Sequence, residues 1–154
     1  MKKTIAVLLL ISMFFAFSSF STFAIDEAVD NVSTIYLEDG SYLVIRLSET
    51  TFSRATNTKK GTKTIAHYNN DDEKCWDSTI TGTFTYTGSS STCTAASITY
   101  NIYNDDWKMK SATASKSSNQ AVGNITAKRY TLGIPVETVE KTFYLTCSAT
   151  GKLS

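Results

Sequence analysis

The sequence predicts an all-β protein, an antiparallel two-sheet sandwich, and three observations predict it. Residues 76–87 alternate strictly: Trp76, Ser78, Ile80, Gly82, Phe84 and Tyr86 fall on one face, while Asp77 and the threonines at 79, 81, 83, 85 and 87 fall on the other. A period of two sustained over that length is a half-buried strand, since a helix would scatter those threonines around its surface. Ser and Thr supply 37 of the 130 residues that follow Ala24. Threonine suits a pleated face because its branched Cβ packs while its hydroxyl stays wet. The third observation is punctuation: short alternating runs are separated by Asn-, Asp-, Gly- and Ser-rich turns, and Pro135 is the only proline.

The N-terminus reads as an export signal. Lys2 and Lys3 precede an uncharged apolar run over residues 5–17, then small residues lead to Thr22 and Ala24 at the −3 and −1 places of a cleavage site. The run is shorter than the ~20 residues that span a bilayer, so a cut after Ala24 is expected rather than an anchor. Location outside the cell, or at its envelope, follows from that expectation.

After the signal, residues 25–47 form an N-terminal segment. Its residues 33–38 and 41–47 read as a hairpin around Asp39-Gly40, a pair favoured in type I′ turns. Residues 48–61 lose all periodicity and are expected to be a linker, leaving residues 62–154 as the sandwich domain. Within that domain residues 62–68 are a strand turned by 69–73, and 76–87 is the strand described above. Ile98, Tyr100 and Ile102 make the next inward face. Trp107 and Met109 open a shorter strand, and 120–132 alternates around Val122, Ile125 and Tyr130. Residues 132–135 turn the chain into a last strand in which Val139, Phe143, Leu145 and Cys147 share one face. Six strands and a hairpin at this spacing predict a sandwich, with an immunoglobulin-like arrangement first and a small up-and-down barrel second. The segment 25–32 is the one place where a short helix fits.

Composition excludes several functions. Without Lys2 and Lys3 the chain carries 13 basic and 14 acidic residues, so no basic stripe exists for nucleic acid or an anionic membrane surface. Cys75, Cys93 and Cys147 allow three disulfide pairings with one thiol left over. Cys93 opens a strand and Cys147 closes one. Their bond is the favoured pairing, closing a loop of roughly 55 residues worth about 4 kcal/mol in chain entropy. With one histidine and no C-x-x-C, neither a zinc site nor a cofactor is expected.

The runs Gly82-Thr-Phe-Thr-Tyr-Thr-Gly88, Ser91-Thr-Cys-Thr94, Ile102-Tyr103, Trp107-Lys108, Ser115-Lys116, Leu132-Gly133-Ile134 and the closing Leu145-Thr-Cys-Ser-Ala-Thr-Gly-Lys-Leu-Ser154 carry a resemblance. Over roughly residues 55–154 the chain resembles a family of short secreted proteins of Gram-positive gut bacteria with no assigned activity. The resemblance implies export, a bacterial source and this fold. It also implies the pairing of Cys93 with Cys147, from which Cys75 departs.

Candidate chemistry is sparse. His67 is the only imidazole, and a triad would need it between an acid and a nucleophile. No Gly-x-Ser-x-Gly elbow is present, and a half-exposed strand histidine is the plainer reading. Residues 69–73 and 104–106 gather oxygen ligands that suit calcium, yet they lack the spaced pattern of a calcium loop, and such residues are what turns prefer. Trp76 falls on the core face, whereas Tyr103 and Tyr144 fall on the Thr-rich faces and are the candidate ligand-stacking residues. A carboxylate pair for glycoside hydrolysis cannot be chosen among fourteen acids. No catalytic residue is therefore assigned. The expected function is that of a secreted, non-enzymatic interaction protein whose partner is a glycan, a cell-wall polymer or an extracellular protein. A small secreted hydrolase, or a toxin-like or colonisation factor, is the alternative. A polar cleft around His67 would favour an enzyme, and an exposed aromatic strip would favour binding.

Overall fold

The computed structural model describes residues 31–50 and 57–154, so the expected signal over residues 1–24 lies outside the described residues. Eight strands follow one another: β1 (Asn31–Tyr36), β2 (Tyr42–Thr50), β3 (Thr58–Tyr68), β4 (Lys74–Tyr86), β5 (Ser91–Ile102), β6 (Trp107–Ser117), β7 (Gln120–Thr131) and β8 (Ile134–Thr146). They form a five-stranded sheet in the order β1-β2-β3-β4-β5 and a three-stranded sheet in the order β6-β7-β8. All pairings are antiparallel. The two sheets pack as a sandwich and do not close into a barrel.

The alternation read in the sequence becomes the core. On β4, Trp76, Ser78, Ile80 and Phe84 are all fully buried. Leu43, Leu47 and Ile65 join them from β2 and β3. Ala121, Ile125, Ala127, Val139, Phe143 and Leu145 face them from the three-stranded sheet, with Trp107 at one end. Each large apolar side chain removed from water in this way contributes roughly 1.5–3 kcal/mol.

Four expectations are corrected here. The immunoglobulin-like arrangement does not hold, because every strand pairs only with its sequence neighbour and a Greek key needs a strand that returns across its sheet. Each strand lies beside the next in its sheet, so the sheets are simple meanders. Residues 48–61 are not a linker where they are described. Ser48, Glu49 and Thr50 continue β2 and pair with Thr62, Gly61 and Lys60 of β3. Polar residues there mislead because the ladder is held by backbone groups, whatever the side chains. Residues 51–56 lie outside the described residues, and Asn31 and Val32 belong to β1 rather than to a helix. The Asp39-Gly40 hairpin exists, but only Gly40 has a positive φ, 87°. Gly40 N–H donates to Leu37 C=O, and Leu37 N–H donates to Ser41 C=O. This is a type I turn closed by a glycine bulge, not a type I′ turn. The two-residue turn with φ positive at both places is Leu132-Gly133, at 51° and 80°.

The disulfide expectation is also corrected: Cys75, Cys93 and Cys147 are all free and buried. The Cys93 thiol donates to Ala95 C=O at 3.3 Å, and the Cys147 thiol donates to Ser148 C=O at 3.4 Å. Burial pushes all three thiols up from their ordinary pKa.

The two ends of the sandwich differ. At the end holding Cys93 and Cys147, the chain after β8 folds back through a Cys147–Leu153 bridge. Leu153 is 1% exposed. Its N–H donates to Glu49 Oε1 at 3.3 Å, and Ser154 N–H donates to Thr146 C=O. Apolar packing seals this end. The opposite end carries the β1–β2, β3–β4, β5–β6 and β7–β8 turns and remains polar.

Two outcomes test this description. Titration of the unfolded, unreduced protein with a thiol reagent should count three thiols per chain, whereas one thiol per chain would restore the bond. Leu132 is 98% exposed and left-handed, a conformation a branched side chain resists. Leu132→Asn should raise stability by about 1 kcal/mol in urea unfolding.

Candidate functional site

The polar end holds a cavity of about 300 Å3, and His67 lies in its wall. His67 sits near the end of β3, paired with Trp76 of β4, where a bulge between His67 and Tyr68 re-aims the strand ends. Alternation points His67 inward, between two indoles. Its ring stacks on Trp76 at 5.4 Å and 5°, and meets Trp107 at 4.7 Å and 54°. The imidazole is 1% exposed, so the half-exposed histidine expected from the sequence is in fact buried.

Its partners come from the β1–β2 turn. Asp39 Oδ1 accepts from Ser41 N–H at 3.1 Å and from Ser41 Oγ–H at 2.6 Å, the Asx geometry such a turn favours. Ser41 Oγ lies 3.2 Å from His67 Nε2. A serine hydroxyl has one hydrogen, and Asp39 takes it. His67 Nε2–H is therefore the donor to Ser41, which leaves Nδ1 as the bare acceptor. That Nδ1 is buried without a partner. The Ser41 bonds hold Asp39 below the usual carboxylate range. Burial pushes His67 down to about 4, opposed by the Asp39 charge and reinforced by the Arg129 charge.

The remaining wall comes from three other elements. Asn69, Asn70 and Asp71 belong to the β3–β4 turn, where Asn69 Oδ1 accepts from Asp71 N–H and Glu73 N–H. Asn104 and Asp106 belong to the β5–β6 turn. Arg129 and Glu137 are direct cross-strand partners of β7 and β8. Arg129 Nε donates to Glu137 Oε2 at 2.8 Å, and Glu137 Oε1 stands 4.0 Å from His67 Nε2. Cys75 and Trp107 complete the cavity.

Three features that the sequence offers separately, His67 and the two acidic turns, thus meet at one place. Asp39, Ser41, Arg129 and Glu137 were missed. The signals were an Asp-Gly-Ser turn and an opposite-charge pair flanking Leu132-Gly133 at nearly equal distance. Among the described residues no three His, Cys, Asp or Glu side chains approach closely enough to hold a metal ion.

A second arrangement lies on the outer face of the five-stranded sheet at the same end. Tyr36, Tyr42, Tyr68 and Lys74 pair across β1, β2, β3 and β4 and so share one row. Tyr42 and Tyr68 stack at 5.1 Å and 4°, and Tyr36 meets Tyr42 at 5.8 Å. Tyr42 O–H donates to Asp72 Oδ1 at 2.9 Å. Tyr103 ends the row, with Lys74 Nζ 4.5 Å from its ring centroid. Its hydroxyl donates to Asp77 Oδ2 at 2.9 Å. Asp77 also holds Lys74 Nζ and accepts from Asn101 Nδ2 at 2.9 Å. Burial raises the Asp77 pKa, and these three partners outweigh it and hold the group below its ordinary value. Tyr103 is 54% exposed, but Lys74 covers one face of its ring. Tyr144 is 46% exposed on the other sheet, so the two candidate stacking residues do not form one surface.

No protein-family model and no curated protein matches the chain. Among solved structures, the chain is similar to a hypothetical protein, lmo2686, from Listeria monocytogenes EGD-e, at 19% identity and a TM-score of 0.45. The match covers 85% of this chain and 96% of that one.

The buried imidazole makes stability pH-dependent. Folded His67 stays neutral down to about pH 4, whereas the unfolded side chain takes a proton below about pH 6.5. The unfolded state binds more protons between those values. The folded state is therefore fully stable above pH 6.5 and loses about 3 kcal/mol as pH falls to 4. Urea unfolding of wild type and His67→Gln at several pH values should show this slope in the wild type and its absence in the variant.

Proposed function

We propose that the chain is a secreted, non-enzymatic binding protein that acts outside the cell and holds a glycan or cell-wall polymer on the outer face of its five-stranded sheet. The tyrosine row carries this reading. Tyrosine offers a rigid apolar body with a polar tip at little entropic cost, which suits a polyhydroxylated chain lying across the strands. Tyr36 is 76% exposed at the edge of the row. The neighbouring Tyr42 and Tyr68 rings stack on each other, with the Tyr42 hydroxyl held by Asp72. The rest of that face carries threonines such as Thr64 and Thr79, which offer further hydroxyls.

The cavity around His67 favours a second reading, a small secreted hydrolase. The order of protons speaks against nucleophilic catalysis there. In a triad the serine proton goes to the imidazole and the acid holds the imidazole's other nitrogen. Here the serine proton goes to the acid, and an imidazole of pKa about 4 is a weak base at neutral pH. A hydrolase would have to work through carboxylates, and Glu137→Gln would then abolish its activity.

A screen of the purified domain against glycans and cell-wall polymers tests the first reading. Tyr36→Ala and Tyr68→Ala should each weaken the polymer found by roughly three- to tenfold. Tyr144→Ala, on the other sheet, should leave it unchanged. Loss of binding in Tyr144→Ala alone would move the surface to the three-stranded sheet. Retention in both row variants would refute the reading.

A further inference from the structure

We infer that the outer edge of β1 is a self-association surface, on which a second copy of this chain pairs its own β1 antiparallel to the first. Two five-stranded sheets then continue as one. The inference does not rest on the tyrosine-row reading, although Tyr36 belongs to both surfaces.

The first observation is that β1 is the one strand edge left unguarded among the described residues. An open edge offers a row of N–H and C=O groups to any other strand, and folded proteins blunt it with lysines, prolines, bulges or covering segments. β5 and β6 lie against each other, and Lys116 Nζ donates to Thr94 C=O at 3.0 Å between them. β6 adds Lys108, Lys110 and an irregularity between Met109 and Ser111. At the β8 edge Lys63 Nζ donates to Tyr144 C=O at 2.8 Å, and β8 itself carries Pro135 and several charges. β1, Asn-Val-Ser-Thr-Ile-Tyr, has no charge, no proline and no glycine, and it pairs with β2 without a bulge. All six of its residues are exposed.

The second observation is that this edge is its own complement. Leu37 N–H donates to Ser41 C=O at the hairpin. Bonded pairs alternate along an antiparallel ladder, so Ile35, Ser33 and Asn31 use their backbone groups on Leu43, Ile45 and Leu47. Val32, Thr34 and Tyr36 therefore aim theirs out of the sheet. A two-fold axis normal to the sheet at Thr34 sets Thr34 opposite Thr34 of the second copy, and Val32 opposite Tyr36. All three residues then exchange both backbone bonds with their opposites. Val32 against Tyr36 is a β-branched and aromatic pair, one of the favourable cross-strand contacts. No like charges meet, because β1 has none.

The third observation is room. β1 and β2 pack against no strand of the three-stranded sheet, whose contacts stop at β3. The smaller sheet stands back from the edge and does not obstruct a second copy. Two six-residue strands bury less than the roughly 1,200 Å2 of a standard interface, so the dimer is weak and concentration-dependent.

Sedimentation equilibrium of the purified protein tests the inference, and should show a dimer with a dissociation constant of roughly 10 µM to 1 mM. Thr34 N–H bonds nothing within its own sheet, so Thr34→Pro should keep the circular dichroism spectrum and weaken the dimer at least about tenfold. Thr34→Lys sets two ammonium groups together on the axis and should do the same. Thr34→Ala keeps the backbone donor and should stay within about threefold of wild type. Register has its own readout: Thr34→Cys should form a disulfide-linked dimer on mild oxidation, since paired strands bring opposite Cα atoms to about 5.5 Å. Val32→Cys, which faces Tyr36, should not. A protein that stays monomeric at about 1 mM would overturn the inference. So would a dimer that survives both Thr34→Pro and Thr34→Lys, or equal cross-linking by the two cysteine variants. Loss of polymer binding in Tyr68→Ala bears only on the row, so the two readings fail separately.

Discussion

The inward face of β4 is the constraint on which the rest of the structure depends. Trp76, Ser78, Ile80, Gly82 and Phe84 are buried along its length, and β4 lies between β3 and β5 in the larger sheet. A strand buried on this face must meet a second layer, and three strands are enough to cover it. Ser78 is tolerated there because its hydroxyl donates to Thr99 C=O at 3.1 Å, which satisfies it inside the core. Among the described residues the five-to-three imbalance then leaves β1 at the edge of its sheet, with all six of its residues exposed. Lys63 answers the imbalance nearby: it points inward from β3 and donates to Tyr144 C=O at 2.8 Å across the gap between the sheets.

The same strand also separates the two ends chemically. Toward Phe84 the sandwich is finished by Leu153 and the returning C-terminal segment, an apolar closure. Toward Trp76 no apolar segment of the described residues returns, and the end is built from four polar turns. Aromatic rings take over there as the floor: His67 lies between Trp76 and Trp107, which are themselves 6.2 Å apart. A histidine placed on an apolar floor with carboxylates above it is held neutral by desolvation, and its unsatisfied nitrogen is the local cost of that placement.

The β3–β4 turn links the cavity to the outer tyrosine row. Asn69, Asn70 and Asp71 face the cavity, while Asp72 holds the Tyr42 hydroxyl of the outer row. Asn70 Nδ2 donates to Asp39 C=O at 2.9 Å and ties this turn to the β1–β2 turn. The acidic run of residues 69–73 is thus divided between the cavity and the row, and the left-handed residue Asp72, at φ 61°, is where the division falls.

The sequence by itself determined the fold class, the strands and the inward face of β4, because period-two alternation is a local property that burial reads directly. It also marked His67, the two acidic turns and Tyr103, because rare or clustered residue types are visible without coordinates. It could not order the strands. A meander and a Greek key use the same alternating segments, and only the pairing of each strand with its neighbour distinguishes them. It mistook residues 48–50 and 58–61 for a linker, since polar strand residues held by backbone ladders lose the hydrophobic signal. It favoured a bond between Cys93 and Cys147, which the structure leaves as buried thiols bonded to nearby carbonyls. Only tertiary structure brought Asp39, Ser41, His67 and Glu137 together, because they come from three separate hairpins. The proton order that speaks against a triad there is set by distances of a few ångströms that no spacing in the chain encodes.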